Sequence, residues 1–303
     1  MPSLTRRAWM QVAGGSALAA ALTARTSAAA GAEAGHAPRT FCLFSKHLPE
    51  LDWSDLARAA RDAGFDGVDL TVRTRGHVLP ERAATDLPRA VEAITAQGLA
   101  VPMITTELTS AESPLARPLL QAAARSGVRF FKTGYWRYTA SHDVRAQVAE
   151  AGSALEGLAA LARDCGIEMG FHNHETYIGA ALWDIAPSMD RLDPRWAGYY
   201  FDPRHAVAEG GAGSWKAATR LVAPRLKMVA VKDCVWAKTA QGWRVENCPL
   251  GEGLVDWAWV GAALRDAQFS GPISIHLEYA LPPGTSHTLK AASRDLAFAR
   301  RFL

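Results

Sequence analysis

The chain has 303 residues, 49% of them hydrophobic and 21% charged, with 25 glycines, 16 prolines and a mean hydropathy of -0.04. This excludes a disordered chain, which holds fewer apolar residues, and a collagen-like one, which needs far more glycine; one domain of ~250 residues or two smaller ones fits the length. The formal charge is +3, but Arg6, Arg7, Arg25 and Glu33 all lie in the first 34 residues, leaving 30 basic against 29 acidic groups beyond them. A nucleic-acid groove or a polybasic membrane patch is therefore not indicated.

The chain opens on Thr5-Arg6-Arg7-Ala8-Trp9-Met10-Gln11, continues in a weakly apolar run from Val12 to Leu22, and offers A-x-A registers at Ala28, Ala30, Ala32 and Ala34. Residues 1–34 resemble a twin-arginine export signal, which implies a mature protein that is periplasmic or secreted and has no membrane contact after cleavage. The apolar run is too short and too rich in alanine to span ~30 Å of hydrocarbon. Cys42, Cys165, Cys234 and Cys248 stand in no metal-thiolate spacing. Cys234 and Cys248 flank a polar, hairpin-like stretch and could bridge in an oxidising compartment, but four unpaired thiols are the plainer expectation.

From residue 39 onward one rhythm repeats: a helical segment ends in a glycine turn, and a short β-rich run follows. The joints are at 61–68, 96–101, 125–130, 163–168 and 265–272. Glycine after the last helical residue supplies a left-handed cap, and the apolar run behind it predicts a buried parallel strand. Strands are predicted at 40–44, 67–71, 100–104, 129–133, 167–172, 197–201, 226–231 and 272–277. Helices are predicted at 53–63, 86–97, 114–126, 142–164, 181–190, 215–222, 256–267 and 289–302. Eight alternations predict a single-domain α/β protein, a (β/α)8 TIM barrel over 39–303. A doubly wound sheet would more often carry a Gly-rich phosphate loop after its first strand, where this chain reads Phe44-Ser45-Lys46-His47-Leu48.

In such barrels the chemistry sits at the C-terminal strand ends. There the sequence places Lys46 and His47, then Asp69, Arg73 and His77, then Lys132 with Tyr135, Trp136, Arg137 and Tyr138. Further on come His172, Asn173, His174 and Glu175, then Asp202 and His205, Lys232 and Asp233, and His276 and Glu278. Residues two apart on a strand point the same way, so His172 pairs with His174 and His276 with Glu278. Imidazoles and carboxylates converging in this manner, with Asp202 between them, suit one divalent ion (Mn, Co, Mg, Fe or Zn) with open positions for substrate oxygens.

Phe65–Leu70, Pro249–Asp256, the strand-six Asp202–His205 run and Lys232-Asp233 on strand seven together resemble the sugar phosphate isomerase/epimerase superfamily, the xylose-isomerase-like TIM barrels. Phe44–Leu48, Asp69–Arg73 with Gly76–Val78, and Pro102–Thr106 look like its exported bacterial branch, which acts on 3-keto-glycosides as 1,2-lyases. The superfamily places Glu, Asp, His and Glu as metal ligands on strands five to eight. Here the strand-five position reads His172 or His174, strand six Asp202 and strand eight Glu278, whereas strand seven carries Ala230 and lacks the ligand. His276 could fill the space beside Ala230, so the implied ligand set is His174, Asp202, His276 and Glu278.

The resemblance implies a small-molecule sugar or glycoside as partner. An ion on the keto oxygen would stabilise an enolate while His205, or alternatively Lys232, takes the C2 proton. Loss of the C1 substituent gives elimination, and reprotonation gives epimerisation or isomerisation. Lys46, Arg73, His77, Tyr135, Arg137 and His172 are the expected substrate-binding residues, and loop segments at 73–85 and 235–250 could reach a neighbouring subunit in a homo-oligomer. Two other readings stay open: a catalytically silent exported sugar-binding barrel, and an AP endonuclease, which the near-neutral charge disfavours. No G-x-S-x-G elbow is present for a nucleophilic hydrolase.

Overall fold

The computed structural model describes residues 39–140 and 143–303; residues 1–34, where an export signal is expected, lie outside the described residues. Strands β1 (Phe41–Phe44), β2 (Gly67–Thr71), β3 (Ala100–Thr105), β4 (Phe130–Lys132), β5 (Glu168–His172), β6 (Ala197–Phe201), β7 (Leu226–Val231) and β10 (Ile273–Ile275) form a closed parallel barrel. It closes through Phe41 paired with Ile273 and Cys42 with Ser274. Helices α1 (Trp53–Asp62), α2 (Ala83–Thr95), α3 (Ala116–Arg125), α4 (Val144–Cys165), α5 (Leu182–Asp190), α6 (Pro203–Val222), α7 (Trp257–Asp266) and α8 (Thr285–Phe302) alternate with them. Among the described residues no helix is long and apolar enough to cross a membrane.

The strands bury both faces, so they read as apolar runs: β1, β2, β6 and β10 contain no exposed residue. Their helices stop where the sequence demands it. Gly166 follows α4 at φ 72°, a left-handed conformation that a side chain resists. Asp52, Asp143 and Asp256 cap α1, α4 and α7 by accepting from Asp55, Ala146 and Trp259 backbone N–H groups.

One helix departs from expectation. Helix α6 begins at Pro203, not near 215, with Asp202 as its cap and a break at Gly211 (φ 55°, ψ -158°). Gly210, Gly211 and Gly213 lower helix propensity enough to hide its first half in the sequence. The segment after β7 is an antiparallel hairpin, β8 (Asp233–Thr239) and β9 (Gly242–Cys248). Cys234 pairs across it with Asn247 and Cys248 with Asp233, which puts the two thiols on opposite faces. All four cysteines are unbridged.

Candidate active site

The strand ends converge on one cavity at the C-terminal mouth, lined by Phe44, Lys46, Arg73, Thr105, Lys132, Tyr135, His172, His174, Tyr200, Lys232, His276 and Glu278. Seven residues expected from the sequence meet there with Lys232: Lys46, Arg73, Tyr135, His172, His174, His276 and Glu278. Arg137 is outside this lining, its guanidinium 4.6 Å from the Tyr177 ring. His77 is outside it too. Its Nδ1 lies 3.2 Å from Thr71 Oγ1 and its Nε2 3.2 Å from the Leu48 carbonyl, so both nitrogens join barrel loops together.

Asp202 stands just behind the wall, fully buried. Its Oδ1 accepts from the His205 backbone N–H (3.2 Å) as the helix cap, and its backbone is clamped by Asn173 through bonds of 2.8 and 3.0 Å. Three nitrogens surround its Oδ2: Lys232 Nζ at 3.2 Å, His172 Nε2 at 3.3 Å and His205 Nε2 at 3.6 Å. Burial alone would raise this carboxyl, but Lys232 and the hydrogen bond from His172 outweigh it and hold Asp202 at about 2. An ionised carboxylate only accepts, so His172 Nε2 carries its proton toward Asp202 and Nδ1 accepts from Tyr135 Oη at 2.9 Å. Burial holds His172 neutral, down at about 3.

His205 is fixed by its own neighbour. Arg204 Nη1 lies 2.9 Å from His205 Nδ1 and is itself ion-paired with Glu175. A guanidinium never accepts, so Nδ1 must, and the neutral ring bears its proton on Nε2. Burial, then Lys232, keep this ring far below the ordinary histidine value. His205 also stands behind His174, whose ring it stacks at 3.8 Å, and does not line the cavity. The base role expected of His205 is thus not one its placement provides.

The remaining expected ligands stand apart from the Asp202 group. Both Glu278 oxygens take Lys46 Nζ at 2.9 Å. His174 Nδ1 donates to the Glu175 carbonyl at 2.9 Å. His276 stacks on Phe44 at 4.3 Å, and its Nε2 lies 3.1 Å from Tyr200 Oη, which reaches Asp69 Oδ2 at 3.2 Å. Burial pushes Asp69 up to about 6 despite hydrogen bonds from Ser274, Thr105 and Tyr200. The structure therefore groups Asp202 with His172 and His205 rather than with His174, His276 and Glu278. Sharing a strand face did not suffice, because residues past the last ladder bond turn with their loops: β5 already ends at His172 and β10 at Ile275.

One residue was underrated. Lys132, the last of β4, is 2% exposed and lines the cavity, with its Nζ 3.4 Å from the centre of the Tyr135 ring. Among the described residues no carboxylate lies within ion-pair distance of it. Burial first, then Arg73, drive its amine well below the ordinary lysine value, outweighing Asp69 and Glu107. A lysine closing a strand is a visible signal, but its lack of a counter-charge exists only in three dimensions.

A closed parallel barrel with its polar groups gathered at the C-terminal mouth is the architecture of (β/α)8 barrel enzymes. This chain belongs to the xylose isomerase-like TIM barrels, whose family profile it matches over residues 57–302. No curated protein matches it in sequence. Among solved structures it is similar to a D-psicose 3-epimerase from Clostridium cellulolyticum H10 with D-tagatose (TM-score 0.67, 13% identity, 87% of this chain and 99% of that one). It is also similar to a 3-keto-D-glucoside 4-epimerase from E. coli (0.66, 14%, 87% and 100%). A third is a xylose isomerase-like TIM barrel protein from Mycobacterium smegmatis in complex with magnesium (0.64, 17%, 88% and 98%). At these identities the likeness establishes the fold.

The His172–Asp202–His205 group has the spacing a metal ion needs, with its donor atoms within 4.8 Å of one another. Its chemistry does not fit one as it stands. A metal binds the lone pair of a deprotonated imidazole nitrogen. Tyr135 could reverse its hydrogen bond and free His172 Nε2, but Arg204 cannot do so for His205. Lys232 holds the third side of Asp202 Oδ2. Only His172 of the three reaches the cavity wall.

Proposed function

We propose that this barrel enolises a keto sugar, removing a proton from the carbon next to the ketone. The observation that carries the reading is the pair of buried lysines lining one cavity: Lys232 is ion-paired with Asp202 at 3.2 Å, and among the described residues Lys132 has no carboxylate within ion-pair distance. With the ketone oxygen on the Lys232 ammonium, the developing enolate meets a preorganised positive charge. The neutral Lys132 amine accepts the α-proton. Lys46, Arg73, Tyr135, His172 and Glu278 bind the hydroxyl groups around it. His205 supports the site by fixing Asp202 from behind.

On a 3-keto-glycoside the acidic position is C2, and the C1 substituent lies one bond further. Expulsion of that substituent, protonated by the Lys132 ammonium, gives the 1,2-elimination that the motif at Asp69–Arg73 suggests. Return of the proton to carbon gives an epimer or isomer, the outcome named for the epimerases of similar fold. The paired arginines at Arg6 and Arg7 support action on extracellular glycosides. Incubating the purified chain in D2O with an aryl 3-keto-β-glucoside tests the reading. Aglycone release together with C2 deuterium exchange marks a lyase, and exchange without release an epimerase or isomerase. Sugar binding with neither signal would replace enolisation by a silent binding barrel.

A further inference from the structure

We infer that the cation of this site is supplied by the chain itself: the Lys232 ammonium, seated on Asp202, takes the place of a divalent ion, and the site works without metal. The inference rests on the enolisation reading for its chemistry, but its structural argument is independent of substrate.

Asp202 Oδ2 faces three nitrogens: Lys232 (3.2 Å) and His172 (3.3 Å) lie within bonding distance, and His205 Nε2 (3.6 Å) stands just beyond it. Two of these nitrogens have no lone pair to give: the ammonium of Lys232, and His205 Nε2, whose proton is fixed there by Arg204 on Nδ1. An entering ion would have to displace a buried cation and sit beside the Arg204–Glu175 pair, keeping two ligands.

The oxygens of the barrel interior are already bonded to one another, Asp69 accepting from Thr105, Tyr200 and Ser274. Met103, Phe130, Tyr200, Met228 and Ala230 pack there as an apolar cluster. At Gly170, two residues before His172 on β5, an added Cβ would collide with the Met228 methyl, so that space is already filled by a thioether side chain. A hard divalent ion needs oxygen ligands, and recruiting Asp69 would break all three of those hydrogen bonds. A protonated lysine needs one carboxylate, which it has. The electrostatic task is the same in either case: a fixed positive charge where the enolate oxygen forms.

The test has two arms. Metal-stripped protein is titrated with Co2+, read by its visible absorption, and retained metal is counted after dialysis. No stoichiometric ion is expected. One equivalent of Co2+ that disappears in Asp202→Asn and in His172→Gln, both checked for folding by circular dichroism, would overturn the inference. In the second arm keto-sugar turnover is measured in EDTA and with added Mn2+. Turnover within twofold of the untreated enzyme under both conditions, with a loss of at least a hundredfold in Lys232→Met, is expected. Turnover abolished by EDTA and restored by Mn2+ would overturn it. If no keto sugar turns over at all, the enolisation reading fails while the Co2+ titration still decides the occupant of Asp202.

Discussion

Replacing Lys232 by methionine isolates the ion pair on which the site is built. Asp202 titrates at about 2 in the fold against an ordinary 3.8. At about 1.4 kcal/mol per pH unit, that depression corresponds to roughly 2 kcal/mol of stability. Because the folded value is the lower one, the contribution is fully present above about pH 4 and is lost as the pH falls toward 2. Lys232→Met keeps the volume and removes the charge. The carboxylate then stays buried with burial unopposed by its main cation, and breaking a buried pair in this way costs about 3–5 kcal/mol at pH 7. The sign of the acid response also reverses. With Asp202 raised above its unfolded value, the variant gains stability relative to the wild type on acidification from pH 7 toward 4, where the wild-type Asp202 contribution is constant. Urea unfolding between pH 3 and pH 8 reads both effects. The double variant Lys232→Met/Asp202→Asn, which keeps a capping side chain for α6, should recover most of the loss. A single variant within about 1 kcal/mol of wild type and with the same acid profile would refute the view that this pair is the electrostatic centre of the barrel.

Lys132→Met should cost at least a thousandfold in turnover while raising the melting temperature, because it removes an unpaired amine from a buried site. In the wild type, kcat/KM should rise with pH through an ionisation lying below the ordinary lysine range, and thermal melts beside pH–rate profiles check both points. His77→Ala should leave KM unchanged, since the ring lies outside the cavity, but cost about 1–2 kcal/mol by cutting its links to Thr71 and the Leu48 carbonyl. Gly170→Ala should destabilise by about 1–3 kcal/mol in urea unfolding through overpacking against Met228, and Met228→Ala in the same chain should relieve part of it.

The barrel was legible because its signals are local. A glycine that caps a helix and an apolar run that follows it need no distant partner, and all eight barrel strands fall within a few residues of their expected places. The first half of α6 was not legible, because its three glycines speak against a helix that Asp202 and Pro203 nevertheless start. The cavity wall was recovered in large part, since residues at the C-terminal ends of parallel strands share one mouth. The pairing among them was not. Whether Asp202 meets Glu278 or Lys232 depends on barrel radius and loop direction, which spacing along one strand does not encode. The tautomer of His205 depends on Arg204, an adjacent residue whose side chain is aimed by Glu175, from another loop.

In the proposed reaction the two lysines divide the acid and base roles within one side-chain type. Lys46, Arg73, Lys132 and Lys232 line it against the single carboxylate of Glu278, and Lys46 already engages that group. In such a space two ammonium groups cannot both be kept at low cost, and Lys232 is among the groups that depress Lys132. Asp202 distinguishes the two, because it is ion-paired with Lys232 and is itself fixed as the cap of α6. Two groups whose environments push their protonation apart are the general mark of an acid–base pair. The enolate would close the cycle. Its negative charge, forming between the lysines, offers Lys132 the counter-charge it lacks in the empty cavity, so the proton becomes easier to hold as the reaction advances. When the enolate collapses, that counter-charge vanishes and Lys132 gives the proton up, to carbon or to the departing oxygen.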